Sequence, residues 1–278
     1  MRKLKRIIQA IIFMLKQKEI LTVPKIIDRE KLLEGRVAFI TGGNSGIGLE
    51  IAREFLKNGC KVIIAGTNEE KLKLCCKSLD NINIKCITLN LTEINTFKEK
   101  FEQILSLFPN DKIDILVNSA GVTGFTNYFE VTEKEYDNIM DINLKGNFFL
   151  SQIFSKYMIE NNIKGNILNI SSSSAVRPAW KPYQISKWGI KGFTLGLADT
   201  LAPYGIVVNA LAPGPVATPM LGKNEGDNIY NSRIYNKRYA LPSEIAYLAT
   251  YMVSDLGRLI IGDTIYSTGG SGILDLHN

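Results

Sequence analysis

Two residues in the segment YQISK, Tyr183 and Lys187, could carry out proton transfer. They are four positions apart, so on a helix both side chains lie on one face. A lysine ammonium beside a phenol favours the phenolate, and we expect it to lower the pKa of Tyr183 from its usual value of about 10. The pair could then act as a general acid or base on a carbonyl or alcohol oxygen.

The histidine and cysteine content limits the kinds of catalytic and metal site that this chain can form. The single histidine, His277, is the penultimate residue, which excludes a Ser-His-Asp triad and a histidine-rich metal site. No two cysteines have the two-residue gap of a zinc or redox motif. The cysteines are Cys60, Cys75, Cys76 and Cys86. We therefore predict no metal site and a reducing, cytoplasmic compartment.

A second candidate site is the glycine-rich segment TGGNSGIG at 41–48, between an apolar run and a stretch with helical spacing. In a doubly wound sheet, ligands bind where strands end. The free N–H groups and the dipole at a helix start favour a diphosphate, and glycine lets the backbone approach it. The spacing is G-x-x-x-G-x-G, so the usual G-x-G-x-x-G fingerprint is absent. We predict that this turn binds a dinucleotide.

The elements that position these residues alternate between strand and helix from Gly35 onward. Apolar runs without polar alternation predict strands buried on both faces; these are 36–41, 61–65, 84–89, 113–117, 165–170, 205–211 and 263–267. Helical windows between them include 68–79, 93–107 and 133–140. This alternation predicts an α/β, Rossmann-type doubly wound fold, with a mostly parallel sheet of about seven strands and helices on both faces.

The net charge of +6 lies entirely in residues 1–31, which hold nine Lys or Arg and three acidic residues. The remaining chain is formally neutral and has no basic stripe, which argues against nucleic-acid binding. We predict a basic amphipathic extension at 1–31 and one catalytic domain at 32–278. The apolar stretch within 1–18 is too short to span a bilayer; it could lie on a membrane surface, or dock on the protein or a sister subunit.

Six motifs in order along the chain resemble the short-chain dehydrogenase/reductase family, single-domain branch. They are TGGNSGIG (41–48), NSAG (118–121), MDINLKG (140–146), NISSSS (169–174), YQISK (183–187) and PGPVATPM (213–220). The resemblance covers residues 35–270. One departure is Ser119, where the family's NNAG segment has asparagine.

The resemblance implies a catalytic set of Asn143, Ser172, Tyr183 and Lys187. Ser172 would bond the substrate oxygen, although its neighbours Ser171 and Ser173 could take that role. Asn143 would hold a water that connects Lys187 to solvent, and Lys187 would also bond the nicotinamide ribose.

The resemblance also implies a set of cofactor contacts around the ends of the strands. They are Gly42, Asn44, Ser45, Gly46, Ile47, Gly48, Gly66, Thr67, Asn90, Leu91, Asn118, Ala120, Gly121, Tyr183, Lys187, Pro213, Gly214, Val216 and Thr218.

The end of the second strand bears on the choice between NAD and NADP. An acidic residue there bonds the ribose hydroxyls and repels a 2′-phosphate. Gly66 stands where NAD-preferring relatives carry aspartate, while Thr67 and Ser45 stand where NADP-dependent relatives often carry arginine. Because the repelling carboxylate is absent, we predict NADP as the preferred cofactor, with NAD as the alternative.

The predicted activity is NAD(P)-dependent interconversion of a secondary alcohol and a carbonyl by hydride transfer. A catalytically silent nucleotide sensor or scaffold on the same fold is the alternative, and an extended-branch epimerase or dehydratase ranks below both. The resemblance implies a homodimer or homotetramer acting on a small molecule.

Residues 219–241 should form the substrate loop, which either meets an anionic or sugar-like substrate or is a solvated lid. Its tyrosines and cations are Tyr230, Tyr235, Tyr239, Arg233, Lys237 and Arg238.

Overall fold

The computed structural model describes residues 31–124, 126–232, 234–272 and 274. They form a seven-stranded sheet in the order β3-β2-β1-β4-β5-β6-β7, and every neighbouring pair is parallel. The predicted N-terminal helix and its predicted contact with a membrane or a subunit lie outside the described residues. His277 also lies outside them.

The predicted strands and helical windows are all present. The strands are β1 (Val37–Thr41), β2 (Lys61–Gly66), β3 (Ile84–Thr88), β4 (Ile115–Asn118), β5 (Asn166–Ile170), β6 (Val207–Pro213) and β7 (Thr264–Ser267). The helices are α1 (Gly46–Lys57), α2 (Glu69–Leu79), α3 (Phe97–Ser106), α4 (Glu133–Met140), α5 (Gly146–Glu160), α6 (Pro182–Leu201) and α7 (Pro242–Val253). A π-helical turn, Asp141–Lys145, joins α4 to α5.

Two apolar cores cover the two faces of the sheet, as the uninterrupted apolar strands predict. One core packs α1, α2 and α7 against the sheet, and the other packs α3, α5 and α6. In the second core, the Phe154 ring stacks on Phe39 with ring centres 5.2 Å apart and meets the edge of Phe101 at 4.9 Å. The predicted doubly wound fold with helices on both faces is confirmed.

Some predicted boundaries were wrong by a few residues, for local reasons. The regular ladder of β4 starts at Ile115, directly after Asp114, whose carboxylate accepts from the backbone N–H of Val37 at 2.9 Å. The Arg36 side chain contacts that carboxylate and donates to Asn166 at 2.8 Å. One 3₁₀ turn at Ile94–Thr96 precedes α3 and delays its start to Phe97.

The strand order reverses beside β1, whose neighbours are β2 on one side and β4 on the other. The crossovers therefore leave in opposite directions, and a crevice opens at the carboxyl ends of these strands. Within the described residues, no helix is long and apolar enough to cross a membrane.

Candidate active site

The glycine-rich turn lines the crevice at the carboxyl end of β1. A Cβ added at Gly48 would lie 2.4 Å from the backbone oxygen of Gly42, and one at Gly42 would lie 2.9 Å from the Cα of Ala120. Gly42 and Gly46 also have φ of +65° and +54°, which L side chains rarely adopt. The turn therefore needs glycine at these positions, and its open backbone before α1 fits a dinucleotide pyrophosphate.

One hydroxyl group, that of Thr41, connects the carboxyl ends of β1 and β4. Thr41 Oγ1 accepts hydrogen bonds from the backbone N–H groups of Ser119 and Ala120, each at 3.1 Å. Below them, the buried Asn118 amide donates to Ser151 at 2.9 Å and to Asn169 at 2.8 Å. Asn118 therefore joins β4 to α5 and β5 from beneath, and its side chain does not line the cleft.

Ser172 and Tyr183 meet at the other side of the crevice. The Ser172 hydroxyl is hydrogen-bonded to the Tyr183 phenol, and Ser172 Oγ also accepts from the backbone N–H of Ser174 at 3.1 Å. Ser171 instead donates to the backbone oxygen of Lys187 at 3.2 Å. Among the three candidate serines, the structure brings Ser172 to the phenol.

Lys187 is almost entirely buried, at 5% exposure. Its Nζ donates to the backbone oxygen of Ile170 at 2.8 Å and lies 5.7 Å from the centre of the Tyr183 ring. Burial lowers the pKa of Lys187 to about 8, because the desolvated site disfavours the ammonium.

The expected lowering of the Tyr183 pKa was wrong for this structure. Burial raises the pKa of Tyr183, and the hydrogen bond from Ser172 offsets only part of the rise. One N–H of the Lys187 ammonium donates to the Ile170 carbonyl, and Lys187 is not among the groups that lower the pKa of Tyr183. Tyr183 is therefore protonated at neutral pH and is ready to act as an acid.

Asn143 lies in the π-helical turn and is fully buried. Its Oδ1 accepts from the backbone N–H of Val122 at 2.8 Å, and its Nδ2 donates to the oxygen of Val122 at 2.9 Å and to Ser186 at 3.1 Å. A Cβ at Gly121 would lie 3.3 Å from Asn143 Oδ1 and 3.7 Å from Lys187 Nζ. Asn143 thus holds the loop after β4 against α6; the predicted water stays a prediction.

A cleft of about 320 Å³ collects most of the predicted residues. Those lining it are Gly42, Ser45, Gly46, Ile47, Gly48, Ala120, Gly121, Ser172, Tyr183, Lys187, Pro213, Gly214, Val216 and Thr218. Predicted residues outside the lining are Asn44, Gly66, Thr67, Asn90, Leu91, Asn118 and Asn143.

Several predicted cofactor contacts that do not line the cleft lie at the end of β2 or after β3. A Cβ at Gly66 would meet the Asn44 side chain at 3.0–3.2 Å, so these two residues pack together at the end of β2, and Thr67 beside them is exposed. Asn90 bonds the backbone N–H of Thr92 at 3.1 Å, and Leu91 is buried in the core. Neither is directed into the cleft.

The predicted substrate loop, residues 219–241, reaches the cleft at its N-terminal end, and its role stays a prediction. Pro219, Met220 and Leu221 line the cleft. Arg238 is paired with Glu244 through two contacts of 2.7 Å, so this cation is already engaged. Of the tyrosines, Tyr230 and Tyr235 are exposed. Arg233 lies outside the described residues.

Sequence reasoning missed several lining residues, chiefly Arg177 and Ser271. Arg177 belongs to none of the motifs, and Ser271 comes from the segment after β7, far away in sequence. Across the described chain there is no group of three or more His, Cys, Asp or Glu that could hold a metal ion.

A parallel sheet that reverses its order beside a glycine turn is typical of dinucleotide-binding proteins. An acid-base pair beside that turn is typical of the oxidoreductases among them. The comparisons with known proteins agree with this class. The model of the short chain dehydrogenase family matches residues 36–228.

Two known reductases are similar to this chain over most of its length. The chain is 38% identical over 243 residues to the 3-oxoacyl-[acyl-carrier-protein] reductase FabG of Rickettsia bellii, covering 86% of this chain and 97% of that protein. The 3-ketoacyl-(acyl-carrier-protein) reductase of Brucella melitensis, solved with NADH, has a TM-score of 0.80 and 30% identity, covering 87% of this chain and 100% of that one.

An actinorhodin polyketide ketoreductase variant solved with NADPH has a TM-score of 0.79 and 29% identity, covering 86% of this chain and 98% of that one. The chain belongs to the short-chain dehydrogenase/reductase family. It is an NAD(P)-dependent oxidoreductase that acts on a small molecule, and the comparisons give no support to a silent scaffold.

Proposed function

We propose that this chain reduces the 3-oxo group of an acyl thioester to a secondary alcohol, with NADPH as the preferred reductant. The observation that carries the proposal is the position of the Tyr183 phenol beside Ser172 and Lys187 in the cleft. A phenol placed there can protonate an oxygen that gains charge during reduction. The direction is taken from the reductases to which the chain is similar. The substrate class rests on the 3-oxoacyl reductases to which the chain is similar.

Each catalytic residue has a separate task in this proposal. Reduced nicotinamide supplies the hydride when it is bound. Ser172 donates a hydrogen bond to the substrate carbonyl oxygen, and Tyr183 gives that oxygen its proton. Lys187, with a pKa of about 8, returns a proton toward the phenol and bonds the nicotinamide ribose. Asn143 positions the loop beside Lys187.

The cofactor contacts are proposed along the cleft. The turn from Gly42 to Gly48 binds the pyrophosphate, and Thr218 with Pro213, Gly214 and Val216 reaches the nicotinamide end. Asn44, Gly66 and Thr67 face the adenosine ribose. The absence of a carboxylate at Gly66 is what favours the 2′-phosphate of NADPH.

A homo-oligomer is also proposed, through α5 and α6. Phe148 is exposed on α5 and lies against Phe193 of α6, with ring centres 5.1 Å apart. A Cβ added at Gly192 or Gly196 of α6 would meet nothing within 4 Å, so another helix could approach closely there. The reduced cysteines are consistent with the proposed cytoplasmic location. Membrane contact through residues 1–18 stays a prediction.

Reduction of acetoacetyl-CoA by NADPH, followed by nicotinamide absorbance, tests the activity. Tyr183→Phe removes the proton donor and should lower kcat by about 10²–10⁴-fold, while leaving NADPH affinity nearly unchanged. Tyr204→Phe makes the same chemical change at an exposed residue outside the cleft and should match wild type. A Tyr183→Phe enzyme that keeps most of its activity, or a wild type without activity, would contradict the proposal.

Binding of NADPH and NADH, measured by nicotinamide fluorescence without turnover, tests the cofactor preference. Gly66→Asp adds a negative charge beside the 2′-phosphate and should weaken NADPH at least about tenfold relative to NADH. Gly66→Ala is the control, because it introduces the same crowding against Asn44 without charge and should affect both cofactors alike. An unchanged NADPH-to-NADH ratio in Gly66→Asp would show that Gly66 does not face the ribose.

Sedimentation velocity tests the oligomer. Wild type should sediment as a dimer or larger, and Phe148→Asp should shift it toward monomer because a charge would be buried in the interface. Phe129→Asp, at another exposed aromatic residue, should leave the assembly unchanged. A monomeric wild type would rule out the proposed interface.

A further inference from the structure

Arg177 is a charged residue of the cleft to which the proposed mechanism gives no task. Among the described residues that line the cleft, the charged ones are Lys187 and Arg177, and none is acidic. The Lys187 ammonium donates to the Ile170 carbonyl, and the proposed mechanism assigns its remaining N–H groups to the phenol and the nicotinamide ribose. Arg177 follows the 3₁₀ turn that begins after Ser172, so it enters the cleft from the same strand end as the catalytic serine.

The side chain of Arg177 is held in place from two directions. Its Nη2 donates to Ser271 Oγ at 2.6 Å. A Cβ at Gly272 would lie 2.3 Å from Arg177 Nε, so the backbone of Gly272 packs directly on the guanidinium. The Arg177 carbonyl accepts from the indole N–H of Trp188, which follows Lys187 in α6, at 2.8 Å. The position of the cation is therefore fixed before any substrate binds.

The Arg177 guanidinium nevertheless has hydrogen-bond donors beyond the one bonded to Ser271. Nε is buried and has no hydrogen-bond partner in the described part of the chain. No carboxylate among those residues lies within 4.0 Å of the guanidinium as an ion-pair partner. A fixed guanidinium beside a cavity, with donors left over and no carboxylate partner among the described residues, suits an oxygen acceptor on a ligand.

We propose that Arg177 determines substrate specificity by donating to a second oxygen of the substrate, separate from the carbonyl oxygen at Ser172 and Tyr183. The inference rests on the proposed function and deepens it. In a 3-oxoacyl compound, the second oxygen belongs to the carbonyl group next but one along the chain. A thioester or ester carbonyl and a free carboxylate share this acceptor chemistry, and the guanidinium could bind either.

The test compares three ketones with NADPH: ethyl acetoacetate, acetoacetate and 2-pentanone, which lacks the second oxygen. In Arg177→Met, the ratio of kcat/KM for ethyl acetoacetate to that for 2-pentanone should fall about 10- to 100-fold, as expected for a lost charge-assisted hydrogen bond. A larger fall with acetoacetate would assign a carboxylate, and an equal or smaller one would assign the neutral carbonyl. Arg177→Lys should recover part of the ratio.

Ser271→Ala is the matched control, since it removes the hydrogen bond that holds Arg177 and keeps the cation. It should retain most of the preference for the second oxygen. If Ser271→Ala and Arg177→Met lower kcat/KM for all three ketones alike, Arg177 only fixes the segment after β7 and the inference is overturned. Weaker NADPH binding in Arg177→Met would assign the guanidinium to the cofactor, which also overturns it.

A direct binding measurement separates this inference from the proposed function. Calorimetry of acetoacetate with the protein and NADP⁺ detects the contact without turnover. Binding that Arg177→Met abolishes and Ser271→Ala keeps supports the inference even if no ketone is reduced, in which case the proposed function alone fails. Absent binding, or binding that is equal in wild type and Arg177→Met, refutes the role of Arg177.

Discussion

The active-site architecture depends on one buried charge, the ammonium of Lys187, bound to the carbonyl of Ile170 where β5 ends. Removing a charge from water is costly, so the neighbouring elements must hold it. Ser171 bonds the backbone of Lys187, and Asn143 reaches the adjacent Ser186. These contacts fix α6 against the strand end, and the position of α6 in turn brings Tyr183 to Ser172.

Burial of this site changes the pKa values of both titratable groups, Tyr183 and Lys187. Desolvation raises the pKa of the neutral acid Tyr183 above its ordinary value of 10.0 and lowers that of the cationic Lys187 from 10.5 to about 8, so the two values move apart. Transfer of a proton from the Lys187 ammonium to a Tyr183 phenolate is therefore more favourable than in water. No acidic side chain is present in the described cleft lining. Its positive charges, on Lys187 and Arg177, are therefore not neutralised there and can attract phosphates and substrate oxygens.

Sequence patterns predicted the sheet because its strands are apolar on both faces, and they predicted the turn because Gly42 and Gly48 leave no room for a Cβ. They could not predict contacts between distant segments: Arg177 and Ser271 are 94 positions apart. The burial of Asn118 under the cleft and the direction of the Tyr183 pKa shift were missed for a related reason. Both depend on the packing around a side chain, which spacing along the chain does not encode.

The central claim, that the protein buries the charge of Lys187 at a cost, is tested by comparing the free energy of unfolding of wild type and Lys187→Met between pH 7 and pH 10.5. With a folded pKa of about 8 and an ordinary value of 10.5, the unfolded chain binds more protons between these values. The stability of wild type relative to Lys187→Met should therefore rise as pH increases from 8 to 10.5, by on the order of 3 kcal/mol. A difference that is independent of pH would contradict the account.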